Sequence, residues 1–161
     1  MPESVWVAQS DPRVRPLLAD LAREYSTRYH RALDDVHLEL REYPARRFAA
    51  PEGGLLLLVR NGHAVAGGAF QRHDDETAEL KRIWTHRAHR GTGLARRVVA
   101  ELEFEAARRG YSRIFLTTGP NQPEARGLYL ATGYTPHFDV DAVPATRLPF
   151  SKALTVPVGA R

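Results

Sequence analysis

The stretch from Ile83 to Ala95 constrains the fold most, because it joins a strand to a helix through a short, basic loop rich in glycine. Residues 77–85 before it are predicted to form a strand. After it, apolar side chains recur at Leu94, Val98, Leu102 and Ala106, the spacing of an amphipathic helix that ends near Gly110. Residues 112–118 then form a strand that must return in parallel, so the sequence predicts one strand–helix–strand unit.

A meander of three antiparallel strands is predicted to include the first strand of this unit. Leu55–Arg60 and His63–Arg72 flank Asn61-Gly62, a dipeptide typical of type I′ hairpins. A polar turn over 73–76 then leads into the strand at 77–85. The remaining predicted elements are a strand at 5–8, a helix from about Pro12 or Pro16 to Tyr29, short helices around 33–35 and 45–49, a helix from Pro123 to before Gly133, and strands from Tyr134 and over 148–154.

This order predicts a mixed α+β fold. The chain has 161 residues, a length that fits one domain over residues 1–154, followed by a disordered tail at 155–161. It has no Cys, which excludes a disulfide framework, a thiolate metal site and a cysteine nucleophile. The longest apolar run is Leu55–Val59, against the ~20 residues of a membrane span, and residues 1–4 do not start a signal peptide. We therefore expect a cytoplasmic protein with no membrane partner.

The charge pattern does not favour nucleic-acid binding. The chain carries 23 Lys and Arg against 19 Asp and Glu, with a net charge of +4. Acidic residues are interspersed with arginines along the helix after Gly93, which is typical of a solvated helix face. His86 and His89 are three residues apart, but no carboxylate lies near them at a helical offset, so no metal site is predicted.

The basic loop is suited to bind a phosphate group. Gly91 and Gly93 let the backbone approach a ligand, and free N–H groups at the helix start point towards it. The chain has no Gly-Lys dipeptide, so it has no Walker A loop, and Arg96 stands where a dinucleotide fingerprint needs a third glycine. The pattern that remains is Arg90-x-x-Gly93-x-Ala95; the alternative is a glycine-rich turn that binds nothing.

This pattern resembles the pyrophosphate motif of the GNAT superfamily of N-acetyltransferases. A second motif, Gln122-Pro-Glu-Ala-Arg-Gly-Leu-Tyr-Leu-Ala-Thr-Gly-Tyr134, is similar to the late helix of that family. The resemblance covers about residues 55–134. It implies a central, mostly antiparallel sheet of six to seven strands, splayed between the fourth and fifth and flanked by helices.

The resemblance also implies acetyl-CoA as co-substrate, with no metal. Main-chain groups of the strand end would pair with the pantetheine arm, loop amides would hold the pyrophosphate, and one side chain before the late helix would contact the pantetheine or cap that helix. The residues concerned are Ile83, Trp84 and Thr85 for the strand end, Arg90, Gly91, Thr92, Gly93, Leu94 and Ala95 for the loop, and Asn121 or Gln122 for the last contact. The Trp84 side chain either covers the pantetheine or fills the core.

Two residues are candidates for catalysis. By the resemblance, Tyr129 would protonate the leaving CoA thiolate, since a phenol donates a hydrogen bond as charge collects on sulfur. Glu79 would accept the proton of the amine; alternatively it is a solvent-facing strand residue and a water chain serves as base. Because no Cys is available to hold an acetyl group, direct transfer in a ternary complex is expected.

The acceptor is predicted to be a small-molecule or peptide amine. Tyr25, Tyr29 and His30 occupy the segment that forms the acceptor wall in the family, and Asp34, Asp35 and Glu39 beside them would attract a cationic amine. A homodimer is compatible with the resemblance. The alternatives are a transferase for a longer acyl group, a non-catalytic module that binds or senses acyl-CoA, and a basic protein that binds nucleic acid.

Overall fold

The structure is a computed structural model that describes residues 1–155. Seven strands and four α-helices are present in this part of the chain. The strands are β1 (Glu3–Trp6), β2 (Gly54–Arg60), β3 (His63–Arg72), β4 (Thr77–Thr85), β5 (Arg113–Thr118), β6 (Thr135–Pro136) and β7 (Leu148–Ala153). The helices are α1 (Arg15–Tyr29), α2 (Leu33–Glu42), α3 (Leu94–Arg108) and α4 (Pro123–Ala131). None of these helices is long and apolar enough to cross a bilayer.

The strands form one sheet in the order β1-β2-β3-β4-β5-β7-β6. Every neighbouring pair is antiparallel except β4 and β5, which run parallel on either side of the α3 crossover. This confirms the predicted sheet and its single parallel unit. The predicted tail from 155 lies, apart from Thr155, outside the described residues.

The sheet splays between β4 and β5. These strands pair only at Thr77 with Arg113, Ala78 with Ile114 and Glu79 with Phe115, so residues 80–85 of β4 have no partner on β5. A bulge lies in β4 beyond the residues that pair with β5. There the register between β4 and β3 shifts between Gly67 and Ala69, and Arg82 has a φ of 61°. A bulge bends its strand, and here it opens a gap at the carboxyl ends of β4 and β5.

Each face of the sheet has its own apolar core. On one face, α3 and α4 place Val98, Leu102 and Tyr129 against Leu80 and Leu116. On the other face, α1 packs against β2, β3 and β4, and its core residues include Leu17, Leu21, Leu57, Ala69 and Trp84. Burying each such leucine stabilises the fold by about 1.5–3 kcal/mol, so both faces hold the splayed strands in place.

The N-terminal helices differ from their predicted bounds. A single turn of 3₁₀ helix at Pro12–Val14, capped by the Asp11 side chain, precedes α1, and Pro16 lies in the first turn of α1, where no backbone donor is needed. The predicted short helix around 33–35 extends to Glu42 as α2, of which only Val36 is fully buried. The first strand spans 3–6 rather than 5–8, because its register is set by pairing with β2.

Candidate active site

The gap between β4 and β5 opens into a cavity of about 1200 Å³. Its walls are the separated ends of the two strands, the C-terminal half of α1, the inner side of α2, the loop before α3 and the turn before α4. The cavity therefore joins the glycine-rich loop to the late helix, the two segments that carry the sequence motifs.

The loop before α3 presents a row of backbone donors. Gly91 and Gly93 have φ angles of 78° and 83°, and Gly93 is the N-cap of α3, which has no capping side chain. The first intrahelical bond runs from the Arg97 amide to the Gly93 carbonyl. Within residues 1–155, the amides of 91–96 donate no hydrogen bond, so they are available to an anion at a helix N-terminus.

Most of the predicted loop residues line the cavity. Arg90, Gly91, Gly93, Leu94 and Ala95 do so, together with Arg96. Thr92 is not part of the lining, and its hydroxyl donates to the His89 carbonyl at 2.6 Å, which braces the loop from within.

The end of β4 lines the cavity at Ile83, Trp84 and Thr85. The Trp84 side chain is 3% exposed, packs in the α1 core and donates from Nε1 to Asp20 Oδ2 at 3.0 Å, so it fills the core. The Thr85 Oγ1 atom is buried and has no hydrogen-bond partner within the described residues. Together with the loop amides, this unpartnered oxygen fits a polar ligand that runs along the strand end.

The turn before α4 is held by Gln122. Its Oε1 accepts from the Gly119 amide at 2.9 Å, the Tyr29 hydroxyl at 3.1 Å and the Thr118 hydroxyl at 3.3 Å. The Asn121 side chain donates instead to the Arg28 carbonyl at 3.2 Å. Both residues line the cavity and tie the turn to α1, and the Gln122 side chain does not cap α4.

Tyr129 lies on α4 at the inner wall of the cavity and is 5% exposed. Its ring packs against Tyr134 and Phe150, with centroid distances of 5.4 and 5.6 Å. Burial raises the pKa of the phenol well above its usual value, and the nearby Tyr25 adds to this. The phenol is therefore protonated at neutral pH and available as a donor.

Glu79 stands at the last paired position of β4, where the splay begins. It lines the cavity, with a side chain that is 16% exposed. Its Oε1 accepts from Gln71 Nε2 at 3.0 Å, and Gln71 in turn accepts from the Tyr43 hydroxyl. Lys81 Nζ lies 3.7 Å from Oε2. The carboxylate is thus oriented from one side and open to the cavity on the other.

The predicted acceptor wall is brought together only in part. Tyr25 and Tyr29 line the cavity with their rings 6.5 Å apart, whereas His30 is exposed at the left-handed C-cap of α1 and is not part of the lining. Glu39 lines the cavity but is paired with Arg31 at 2.5 Å.

Arg82 and Arg147 are among the cavity residues that sequence reasoning missed. Arg82 reaches the cavity because of the bulge in β4, and Arg147 lies in the segment before β7. Neither belongs to a motif, so no local signal marks them.

Comparison with known proteins identifies the family and the fold of this chain. The sequence model of the acetyltransferase (GNAT) family matches residues 15–134. A solved structure from Klebsiella pneumoniae, assigned to the acyl-CoA N-acyltransferases, is 25% identical, with a TM-score of 0.76 over 96% of this chain and 99% of that one. No curated protein matches the chain.

Two more distant solved structures share the fold. A GNAT-family acetyltransferase from Staphylococcus aureus is 12% identical, with a TM-score of 0.74 over 95% of this chain and 100% of that one. An acetyltransferase from Streptococcus agalactiae is 22% identical, with a TM-score of 0.68 over 94% and 98%.

The fold, the splay and these matches define an acyltransferase that uses an acyl-CoA as co-substrate. The family match spans most of the chain, including both motifs. The chain belongs to the GNAT family of acetyltransferases.

Proposed function

We propose that this protein is an N-acetyltransferase that moves acetyl from acetyl-CoA directly to a primary amine in a ternary complex. The observation that carries the proposal is one continuous cavity, whose walls include the loop before α3, the gap between β4 and β5, Glu79 and Tyr129. Acetyl-CoA and the amine therefore have room to meet between Glu79 and Tyr129, two groups able to transfer protons.

The chain offers separate contacts for each part of the donor. The amides of 91–96 and the Arg90 and Arg96 side chains would hold the pyrophosphate, because backbone donors and guanidinium groups both favour phosphate oxygens. The end of β4, from Ile83 to Thr85, would pair with the pantetheine arm. Asn121 and Gln122 would form the wall opposite that strand end.

Transfer forms a bond between the amine nitrogen and the acyl carbon, breaks the carbon–sulfur bond and moves two protons. A bound thioester supplies an already activated acyl group, so the protein has only to orient the two substrates and to transfer protons. Amines of this kind have a pKa of about 10.4 and are mostly protonated at neutral pH. We assign to Glu79, directly or through a water molecule, the removal of the amine proton.

Tyr129 is assigned the protonation of the departing sulfur. A thiol has a pKa of about 8.5, and burial raises the phenol pKa further above that value. Complete transfer from the phenol is therefore uphill, and its main contribution is a hydrogen bond that strengthens as charge collects on sulfur.

Steady-state turnover over a panel of amines, followed by CoA release, tests the proposal. We expect CoA to be released in step with an acetylated amine, and only when both substrates are present. Acetyl-CoA should turn over faster than propionyl- or butyryl-CoA. After incubation with acetyl-CoA alone, mass spectrometry should detect no acetyl group on the chain.

Three results would overturn it in different ways. Tight CoA binding with no turnover over the whole panel would make the chain a binding or sensing module. Faster turnover of a longer acyl-CoA would correct the donor. An acetyl group carried by the protein would replace direct transfer with a two-step route.

A further inference from the structure

The carboxylates of the cavity already have cationic partners. On the face of the sheet covered by α1 and α2, three of them lie within 4.0 Å of an Arg or Lys nitrogen. These pairs are Glu24 with Arg28 at 3.4 Å, Glu39 with Arg31 at 2.5 Å, and Glu79 with Lys81 at 3.7 Å. Asp34 and Asp35 do not line the cavity. The cavity therefore holds little uncompensated negative charge for a polycationic acceptor.

Arg82 and Arg147 also line this part of the cavity, and neither has a carboxylate within 4.0 Å among residues 1–155. Arg82 is 7% exposed, and its guanidinium donates to the Gln9 side chain at 2.8 Å and to the Leu40 carbonyl at 2.6 Å. Both acceptors are neutral. Burial lowers the pKa of Arg82 to about 10. A buried cation without a counter-ion is costly, unless a ligand supplies the anion.

The bulge in β4 determines where Arg82 points. Regular alternation would place it with Ala78 and Leu80, which belong to the core under α3. Instead its guanidinium lies 5.3 Å from the Tyr43 ring and 5.0 Å from the Phe48 ring, on the α1–α2 face. The positive φ of Arg82 is unusual for a residue with a side chain, and here it brings a cation into the cavity.

Arg147 approaches from the opposite wall. Its Nη1 donates to the Thr117 hydroxyl at 2.7 Å. The neighbouring residue on β5, Leu116, faces the α3–α4 core, so Thr117 faces the α1–α2 side of the sheet. The two arginines also act on one phenol. Burial raises the pKa of Tyr25 to about 12, Glu24 adds to this, and the charges of Arg147 and Arg82 oppose it. Tyr25, Tyr129 and the two arginines line the same cavity, and the Tyr25 phenol adds to the raised pKa of Tyr129.

We infer that the acceptor is an amine that carries a carboxylate, as amino acids do, and that Arg82 and Arg147 bind that carboxylate from opposite walls of the cavity. Two guanidinium groups present planar pairs of donors, which match the two oxygens of a carboxylate. This inference rests on the proposed function, because it names the class of acceptor for the same site.

Matched acceptors test the inference directly. Each set contains an L-amino acid, its primary amide and the amine that lacks the carboxyl group, and kcat/KM is measured by CoA release at saturating acetyl-CoA. Because the three amines differ in pKa, rates are compared as a function of pH and corrected to the neutral amine. We expect at least one amino acid to exceed both of its partners by about tenfold or more.

Variants of the two arginines show whether they are responsible. Arg147→Gln and Arg82→Gln should each lower the ratio of kcat/KM for acid over amide by about tenfold, and Arg147→Lys should retain part of the preference. A ratio does not change if a variant merely loses folded protein. Arg60→Gln, an exposed charge at the end of β2 outside the cavity, serves as the control and should leave the ratio unchanged.

The possible failures are distinguishable. Turnover of amides or decarboxylated amines that equals or exceeds that of the acids contradicts the inference and leaves the proposed function intact. An acid preference that survives in both glutamine variants contradicts the role of the arginines. No turnover of any member of any set contradicts the proposed function and the inference together.

Discussion

Glu79 is held in one orientation by its neighbours. Gln71 donates to one carboxylate oxygen, and Lys81 lies beside the other. These contacts fix the direction of the side chain in a partly buried place. Because Glu79 is the last residue of β4 paired with β5, it lies at the point where the cavity begins. We expect a carboxylate there to face an amine that enters from the α1–α2 side.

Glu79→Gln tests whether this carboxylate removes the amine proton. At pH 7 we expect kcat/KM to fall by about tenfold to a hundredfold, since the variant has the same shape but cannot accept a proton. The loss should shrink as the pH approaches about 10.4, where the neutral amine is abundant without help.

The matched control is Glu76→Gln, an exposed residue of the turn before β4. It should follow the wild-type pH profile. An equal loss at every pH in Glu79→Gln would indicate that the residue positions substrate or Gln71 rather than accepting a proton.

At the residue scale, the sequence was informative wherever a role depends on local chemistry. Gly91 and Gly93 are recognisable because a positive φ next to a helix start favours glycine, and both have one. The direction of Arg82 was not predictable, because the bulge that turns it depends on how β4 pairs with β3. Arg147 was missed for the same reason: its neighbours come from α1 and β5, far away in sequence.

At the scale of elements, the loop before α3 combines two sources of positive potential. The amides of 91–96 are unpaired within the described residues, and α3 adds about half a positive charge at its N-terminus. Gly93 permits the sharp entry into the helix with a φ of 83° and leaves open space where a side chain would stand. A phosphate group can therefore approach the backbone closely.

Gly93→Val should weaken CoA binding by about tenfold or more, measured by calorimetry. A β-branched residue at this φ costs of the order of 1–3 kcal/mol of strain, which the loop would relieve by leaving the conformation that presents its amides. The new side chain would also occupy the open space above the amides.

Gly62→Val provides the control for Gly93→Val. Gly62 has a φ of 79°, has open space around it, and lies in the β2–β3 hairpin outside the cavity. Backbone strain is thus similar in the two variants, and only Gly93→Val should change the Kd for CoA. Equal affinity in both variants would contradict the assignment of this loop to the pyrophosphate.

The helices and strands that carry a strong local sequence pattern were predicted best. The β2–β3 hairpin follows from Asn61-Gly62, and both residues have positive φ as a type I′ turn requires. The α3 bounds follow from an apolar repeat that ends in glycine. By contrast, α2 was underestimated because only Val36 of its ten residues is fully buried, so little apolar periodicity marks it. The two-residue β6 forms through pairing with β7 and leaves no pattern of its own.

At the scale of the whole molecule, the two cores give the cavity its shape. One core fixes α3 and α4 on one face, the other fixes α1 on the opposite face, and β4 and β5 separate between them. Tyr29 on α1 completes the assembly by donating to Gln122 in the turn before α4. Each motif residue thus takes its place only when distant segments fold together.

We expect Tyr129 to act on the departing sulfur in the cavity that also includes the loop before α3. Tyr129→Phe removes the hydroxyl and keeps the ring that packs on Tyr134 and Phe150. Tyr111→Phe is the control, because that buried phenol donates to the Glu52 carbonyl outside the cavity.

The most direct test measures kcat and the Kd for CoA in these two variants and the wild type. We expect Tyr129→Phe to lower kcat by about a hundredfold or more and to change the Kd by less than about threefold, while Tyr111→Phe retains the wild-type kcat. A wild-type kcat in Tyr129→Phe, or a loss confined to CoA affinity, would contradict this role of Tyr129.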